Sequence, residues 1–203
     1  TASSKKLVST KRSHDTDIMT AAEYASIFDG LVGEITQHYP RGRVLVAVDG
    51  ADEQATRPFA DLLAGAMKAS SWRVLRSTST PGAGADSHDL SFPRHDRYRD
   101  NEDYSRLRDI VSRFREGSLV TEASALKVPT GAVLVVDGPF LLRPELRGAW
   151  HFGIWLEGDM HLSEESLEAQ VRYTRDGAPR AAADAIFDVT DQQSPARVWA
   201  DSC

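Results

Sequence analysis

Two short aliphatic runs, V-L-V-A-V at Val44–Val48 and A-V-L-V-V at Ala132–Val136, constrain the fold more than any other feature of the chain. Neither alternates with polar residues. Each must therefore be covered on both faces, as in a sheet with helices packed above and below it. Each run ends in Asp-Gly, at Asp49-Gly50 and Asp137-Gly138. After the first, a polar loop leads to Pro58, which is expected in the first turn of a helix whose Phe59, Leu62, Leu63, Ala66 and Met67 keep helical spacing. A short strand is expected at Trp72–Leu75. Strand, tight loop, helix and strand in that order form a βαβ unit, which implies parallel pairing.

Upstream, Thr20 and Glu23 have capping-box spacing, and Tyr24, Ile27, Phe28, Leu31, Ile35 and Tyr39 then fall on one helical face. Pro40 should end that helix, because proline disfavours helical geometry in the residue before it. Downstream, residues 77–89 form a loop rich in Ser, Thr, Gly and Pro, and residues 92–103 are densely charged and aromatic. Leu107, Ile110, Val111 and Phe114 mark an amphipathic helix over Tyr104–Phe114. Phe152–Leu156 and Ala185–Val189 are expected as strands, with a polar helix over Ser163–Arg175 between them. No internal repeat or linker interrupts the pattern. One domain over residues 20–203 is expected, an α/β protein built as a three-layer α/β/α sandwich around a mostly parallel sheet. Residues 1–19 are expected to be a disordered leader.

Composition narrows the functional classes. A formal net charge of -6 argues against a nucleic-acid groove, which needs clustered Lys and Arg, though it leaves room for a local basic pocket. The single cysteine, Cys203, permits no disulfide framework and no cysteine-based metal site within one chain. No apolar run approaches the roughly 20 residues that span a membrane. A cytoplasmic protein that binds neither nucleic acid nor membrane is expected.

In open α/β sheets, ligands bind beyond the carboxyl ends of the strands. Asp49 and Asp137 at two strand tips therefore suggest a magnesium or hydroxyl site, although Asp-Gly is also simply a turn signature. From Gly50 the following loop reads G-A-D-E-Q-A-T-R. A working P-loop reads G-x-x-x-x-G-K-[ST], with backbone donors around the phosphates, a lysine on them and a hydroxyl on magnesium. Here Ala55, Thr56 and Arg57 occupy the last three positions, and taken alone the stretch is only a polar loop. Trp72, Trp150, Trp155 and Trp199 are expected to pack, and His95, His151 and His161, which lack metal-ligand spacing, to be solvated. Arg94, Arg97, Tyr98 and Arg99 would grip an anion or a partner carboxylate, or else form a solvated loop balanced by Asp96, Asp100, Glu102 and Asp103.

The wider context of the loop adds a resemblance. Residues 41–64, R-G-R-V-L-V-A-V-D-G-A-D-E-Q-A-T-R-P-F-A-D-L-L-A, resemble without a gap the opening of bacterial uridine kinase-like P-loop proteins, which typically read V-D-G-A-D-G-A-G-K-T-T-F-A-D-E-L-A. H-D-L-S-F-P-R-H-D-R-Y-R at His88–Arg99, V-V-D-G-P-F-L-L-R-P-E-L at Val135–Leu146 and D-A-I-F-D-V-T-D at Asp184–Asp191 are similar to further family segments. The third is the most specific, and together they span roughly residues 20–200.

The resemblance implies a P-loop NTPase fold of the nucleoside kinase type, and phosphoryl transfer from ATP with magnesium to a nucleoside or similar hydroxyl. Carried over by position, the phosphate-holding lysine falls on Thr56 and the magnesium-binding hydroxyl on Arg57. The remnant phosphate loop comprises Gly50, Ala55, Thr56 and Arg57. The proton-accepting aspartate falls on His88, with Asp89 beside it and Asp137 at the second tip as remnant base or metal positions. Arg172 and Arg175 match lid arginines, a helix usually present before Asp184 is expected to be missing, and the connector from Arg115 to Thr130 is expected to be short. Two readings follow. One is a pseudoenzyme without confident ATP or magnesium sites, which acts by binding a protein or small-molecule partner and possesses a surface for homo-oligomers in one version of that idea. The other is an active, divergent kinase using Asp49, Asp137, Arg57 and the lid arginines.

Overall fold

The structure, a computed structural model, describes residues 21–79, 103–119, 128–159 and 162–199. The first aliphatic run is β1, Val44–Asp49, and the strand after the following helix is β2, Arg73–Thr78. The second run is β3, Ala132–Gly138, followed by β4, Phe152–Glu157, β5, Ala185–Asp188, and β6, Ala196–Val198. They form one six-stranded sheet in the order β2-β3-β1-β4-β5-β6. All pairings are parallel except β5 with β6. The antiparallel edge strand β6 has no counterpart in the sequence reading, because A-R-V is too short and too polar to stand out.

Among the described residues, five α-helices accompany the sheet: α1, Ala21–His38, α2, Glu53–Ala69, α3, Asp103–Glu116, α4, Glu164–Gly177, and the single turn α5, Pro179–Ala182. Val44, Val46 and Val48 pack with Val133, Val135 and Ile154 against Phe28 and Ile35 of α1 and Phe59 and Leu63 of α2. Leu45, Ala47, Leu134 and Val136 point to the other face and meet Leu107, Val111 and Phe114 of α3 and Tyr173 of α4. This alternation makes the unbroken aliphatic strands the middle of three layers. Each fully buried side chain contributes about 1.5–3 kcal/mol, which is why the two central strands dominate the fold.

Several expectations are corrected. Helix α2 begins at Glu53, five residues before Pro58, so the proline sits inside the helix rather than in its first turn. Its ring removes one backbone donor, whose partner would be the carbonyl of the exposed Gln54, where water can take over. The stretch before Asp184 is not devoid of helix, since α5 occupies it. His151 is half-buried rather than solvated, and its Nδ1 accepts the Leu45 N–H at 3.0 Å while its own N–H donates to the Leu45 carbonyl at 2.9 Å. Burial and the nearby Arg115 hold its pKa below the ordinary histidine value. Trp199, expected to pack, is 75% exposed, with the Arg197 guanidinium 5.0 Å from its ring centre. Among the described residues no helix is long and apolar enough to cross a membrane.

Candidate functional site at the strand tips

The carboxyl ends of β1, β3 and β4 share one edge of the sheet, with Asp49 paired in register to Gly138 on one side and Trp155 on the other. From Asp49 the chain makes a three-residue turn and enters α2 at once, because Asp52 caps the helix. The Asp52 side chain accepts the Gln54 N–H at 2.9 Å. Its carbonyl accepts the Ala55 and Thr56 N–H groups at 3.1 and 2.9 Å. Asp52 and Glu53 together place two carboxylates on the positive end of the helix dipole, which favours them there. Two of the free donors of this helix start, the Gln54 and Ala55 N–H groups, are thus bonded internally, while the Thr56 N–H makes the first regular bond of the helix.

Thr56 is 1% exposed and turned inward, and its Oγ1 is buried without a hydrogen-bond partner among the described residues. Its methyl lies so near Gly50 that a Cβ there would come within 2.8 Å of it and 3.2 Å of the Leu156 Cβ. Gly50 is therefore required for close approach. Around this turn lies a cavity of about 120 Å³ whose lining includes Gly50, Asp52, Thr56, Glu157, Asp159 and Thr190. Three carboxylates and no cation line it; outside, Arg180 bonds Glu157 at 3.0 Å.

The two Asp-Gly tips have different surroundings. Asp49 is fully buried, and its Oδ2 accepts the Tyr173 hydroxyl from α4 and the Leu142 N–H at 2.7 Å. Burial pushes its pKa up to about 7, against the opposing pull of Tyr173 and the Leu142, Phe140 and Leu141 amides. Tyr173 is itself buried, edge-on to Phe140 at 5.0 Å, so Asp49 binds the turn after β3 to α4. Asp137 is 2% exposed and lies 2.8 Å from Arg76 Nη2. Arg76 also reaches Asp61 of α2 at 3.0 Å and the Val135 carbonyl at 3.1 Å. Burial raises the Asp137 pKa, and Arg76, Arg57 and the Thr78 hydroxyl oppose that rise. The Arg57 charge thus acts on the second tip, and its Nη2 is buried.

Of the residues singled out from sequence, the fold gathers Gly50, Ala55, Thr56, Arg57 and Asp137 along this edge. Arg172 and Arg175 lie on α4, paired with Glu168 and with Asp176 at 2.7 Å, and the Arg175 side chain is 72% exposed. His88 and Asp89 lie outside the described residues, as do the Arg94–Arg99 cluster, His95, His161 and part of the 115–130 connector. Sequence reasoning missed Arg76, Tyr173 and the capping role of Asp52. A charge inside a strand and an Asp-Glu pair before a helix are visible signals for the first and third; nothing local marks Tyr173. Among the described residues no group of three or more His, Cys, Asp or Glu side chains is placed to hold a metal ion.

No protein-family model matches the chain, and no curated protein matches it significantly. Among solved structures, the chain is similar to one described as a possible uridine kinase from Bacillus stearothermophilus, with a TM-score of 0.56 and 18% identity over 82% of this chain and 100% of that one. It also matches a structure assigned as a fructose transport system kinase from Silicibacter sp., with a TM-score of 0.46 and 18% identity over 81% of this chain and 86% of that one. At such identity the likeness is one of fold, a mostly parallel sheet flanked by helices.

Proposed function

We propose that the protein keeps a uridine kinase-like scaffold but acts by binding a small ligand or partner, without transferring phosphate from ATP. The observation that carries this reading is Thr56, which is 1% exposed and supplies no charge at the position where the resemblance expects the phosphate-holding lysine. Phosphoryl transfer depends on positioning and on neutralising charge. Losing one preorganised donor costs on the order of 3–4 kcal/mol of activation free energy. By position, the resemblance puts Thr56 where the lysine belongs, and that side chain is buried against the sheet. Arg57, where the magnesium-binding hydroxyl belongs, is itself a cation. This donor set does not fit magnesium, which takes oxygen ligands.

An active, divergent kinase would need Asp49 and the lid arginines. The first is bonded to Tyr173 and Leu142, and Arg172 and Arg175 pair with acids of their own helix. Calorimetry with ATP and magnesium, followed by a nucleoside phosphorylation assay, tests the proposal. The expected outcome is no tight magnesium-dependent binding and no turnover; either one, if observed, removes it. Combining Glu53→Gly, Ala55→Gly, Thr56→Lys and Arg57→Thr is expected to bring back nucleotide affinity, because it frees the loop and returns its cation.

A further inference from the structure

We propose that the outer face of α4 is a self-docking surface, on which a second copy of this chain lays its own α4 antiparallel about a two-fold axis. This surface is separate from the strand tips, and the inference stands whether or not that site binds ATP. Helix α4 has a buried side and an open one. Gln170, Tyr173 and Gly177 are buried, whereas Glu164, Leu167, Glu168, Val171, Thr174 and Arg175 are exposed. The exposed residues recur at three- and four-residue spacing, which aligns them along one stripe of the helix. In the middle of the stripe Leu167 is 53% and Val171 58% exposed. A single exposed apolar residue is ordinary. These are two of the four exposed large hydrophobics among the described residues, and they stand one helical turn apart.

The charges beside the apolar pair specify what covers it. Glu164 lies three residues before Leu167, and Arg175 lies four residues after Val171. At about 100° per residue, both fall on the same flank of the line joining Leu167 to Val171. Two such helices can be laid antiparallel so that each Leu167 is level with the other's Val171. Glu164 of one copy then comes within one residue's rise, about 1.5 Å along the axis, of Arg175 of the other. The two-fold axis makes that contact twice. A parallel pairing would instead set glutamate against glutamate and arginine against arginine. A stripe that complements itself only when reversed fits a second copy in antiparallel sense. Arg175 also pairs with Asp176 at 2.7 Å, but so exposed a pair contributes little and exchanges readily for one across the contact. One helix face is smaller than the roughly 800 Å² per partner of a standard interface. The dimer should therefore be weak, with a dissociation constant on the order of 0.1 mM.

Sedimentation equilibrium of the full chain, from about 10 μM to about 1 mM, tests the proposal. The wild type should pass from monomer to dimer mass and no further, because a two-fold contact closes on itself. Leu167→Gln should weaken association at least about tenfold, since the lost contact occurs twice. Should that variant lose helicity by circular dichroism, Val171→Gln takes its place with the same expectation. Glu164→Arg and Arg175→Glu should each weaken association about tenfold when alone, because each sets like charges together twice in its own dimer. An equimolar mixture of the two should recover the dimer, as every contact in the mixed pair is again opposite in sign. Leu62→Gln, at a 39% exposed position on α2, should associate as the wild type does. Monomer mass at every concentration, undiminished association by the Leu167 variant, or a mixture that stays monomeric would each overturn the proposal. So would amide-exchange protection along α4 that is the same at every concentration, which would assign the face to another part of the same chain. Turnover of ATP, by contrast, would overturn the non-catalytic reading and leave these masses unchanged.

Discussion

The tips of β1 and β3 carry the same three residues, V-D-G, on adjacent strands of one sheet, and they have different electrostatic partners. Asp49 is bonded to a tyrosine hydroxyl and a peptide N–H, and burial pushes its pKa up to about 7. Asp137 is equally deep and burial raises its pKa too, but it ends a ladder of ion pairs, Asp61 to Arg76 at 3.0 Å and Arg76 to Asp137 at 2.8 Å, that opposes the rise. The glycines differ too. Gly138 adopts φ +136, where a Cβ would come within 1.9 Å of Ser79 Oγ, whereas Gly50 has no such backbone demand and is needed only because Thr56 and Leu156 crowd it. The lesson is that a tripeptide at a strand end specifies a turn, while its chemistry is set by side chains from far along the chain.

The sharpest way to break the contrast is to remove a charge from the ladder. Asp137→Ala should cost about 3–5 kcal/mol in urea unfolding, because it strands buried arginine charge. A cost below about 1 kcal/mol would mean that Asp137 is no more embedded in charge than Asp49. The second effect is the pH dependence contributed by Asp49; Asp137, whose pKa is also raised, adds a slope of the same sign that is common to wild type and variant. Its folded pKa lies above the unfolded value, so the native state keeps a proton that the unfolded chain releases. That stabilisation is complete below about pH 4 and is lost as pH rises through about 7, at up to about 1.4 kcal/mol per unit. The difference between wild type and Asp49→Asn, followed by urea unfolding from pH 4 to 8, should show this decline. His151, whose pKa is lowered, contributes the opposite slope in both proteins and cancels in that difference.

A smaller effect concerns the tether between β1 and α4. Tyr173→Phe removes one buried hydrogen bond to a carboxyl group and should cost about 1.5–3 kcal/mol, with faster amide exchange along α4 as the accompanying signature. The smallest separates the two glycines. Gly50→Ala should cost about 1–3 kcal/mol by overpacking, and adding Thr56→Ser, which removes the colliding methyl, should recover about half of it in thermal unfolding. No change at Thr56 should rescue Gly138→Ala, because its strain is in the backbone.

Much of the architecture was legible because it follows from burial. The runs at β1 and β3 had to be central, and the 3.6-residue spacing of Phe28, Leu31 and Ile35 or of Leu107, Val111 and Phe114 had to face a sheet. The start of α2 was misjudged because Pro58 looked like a first-turn residue, whereas Asp52 supplies a stronger local signal by capping the helix itself. Edge strand β6 was invisible, since three residues carry no usable period. At the site, the chemistry of Thr56 and Arg57 could be named by type but not by direction. One turned inward beneath Gly50, and the charge of the other acts on Asp137.

By itself, then, the sequence determined the layers, the parallel sense of the central strands and a turn after β1 that contains no lysine. All of these depend on local composition or on short-range periodicity. Only the tertiary structure decided that Asp49 would be held by Tyr173, 124 residues away, and that Arg76 would bridge Asp61 and Asp137. Those outcomes depend on which side chains meet across the sheet. The energies of buried charges vary with distance and burial, quantities that a linear chain does not carry until it is folded.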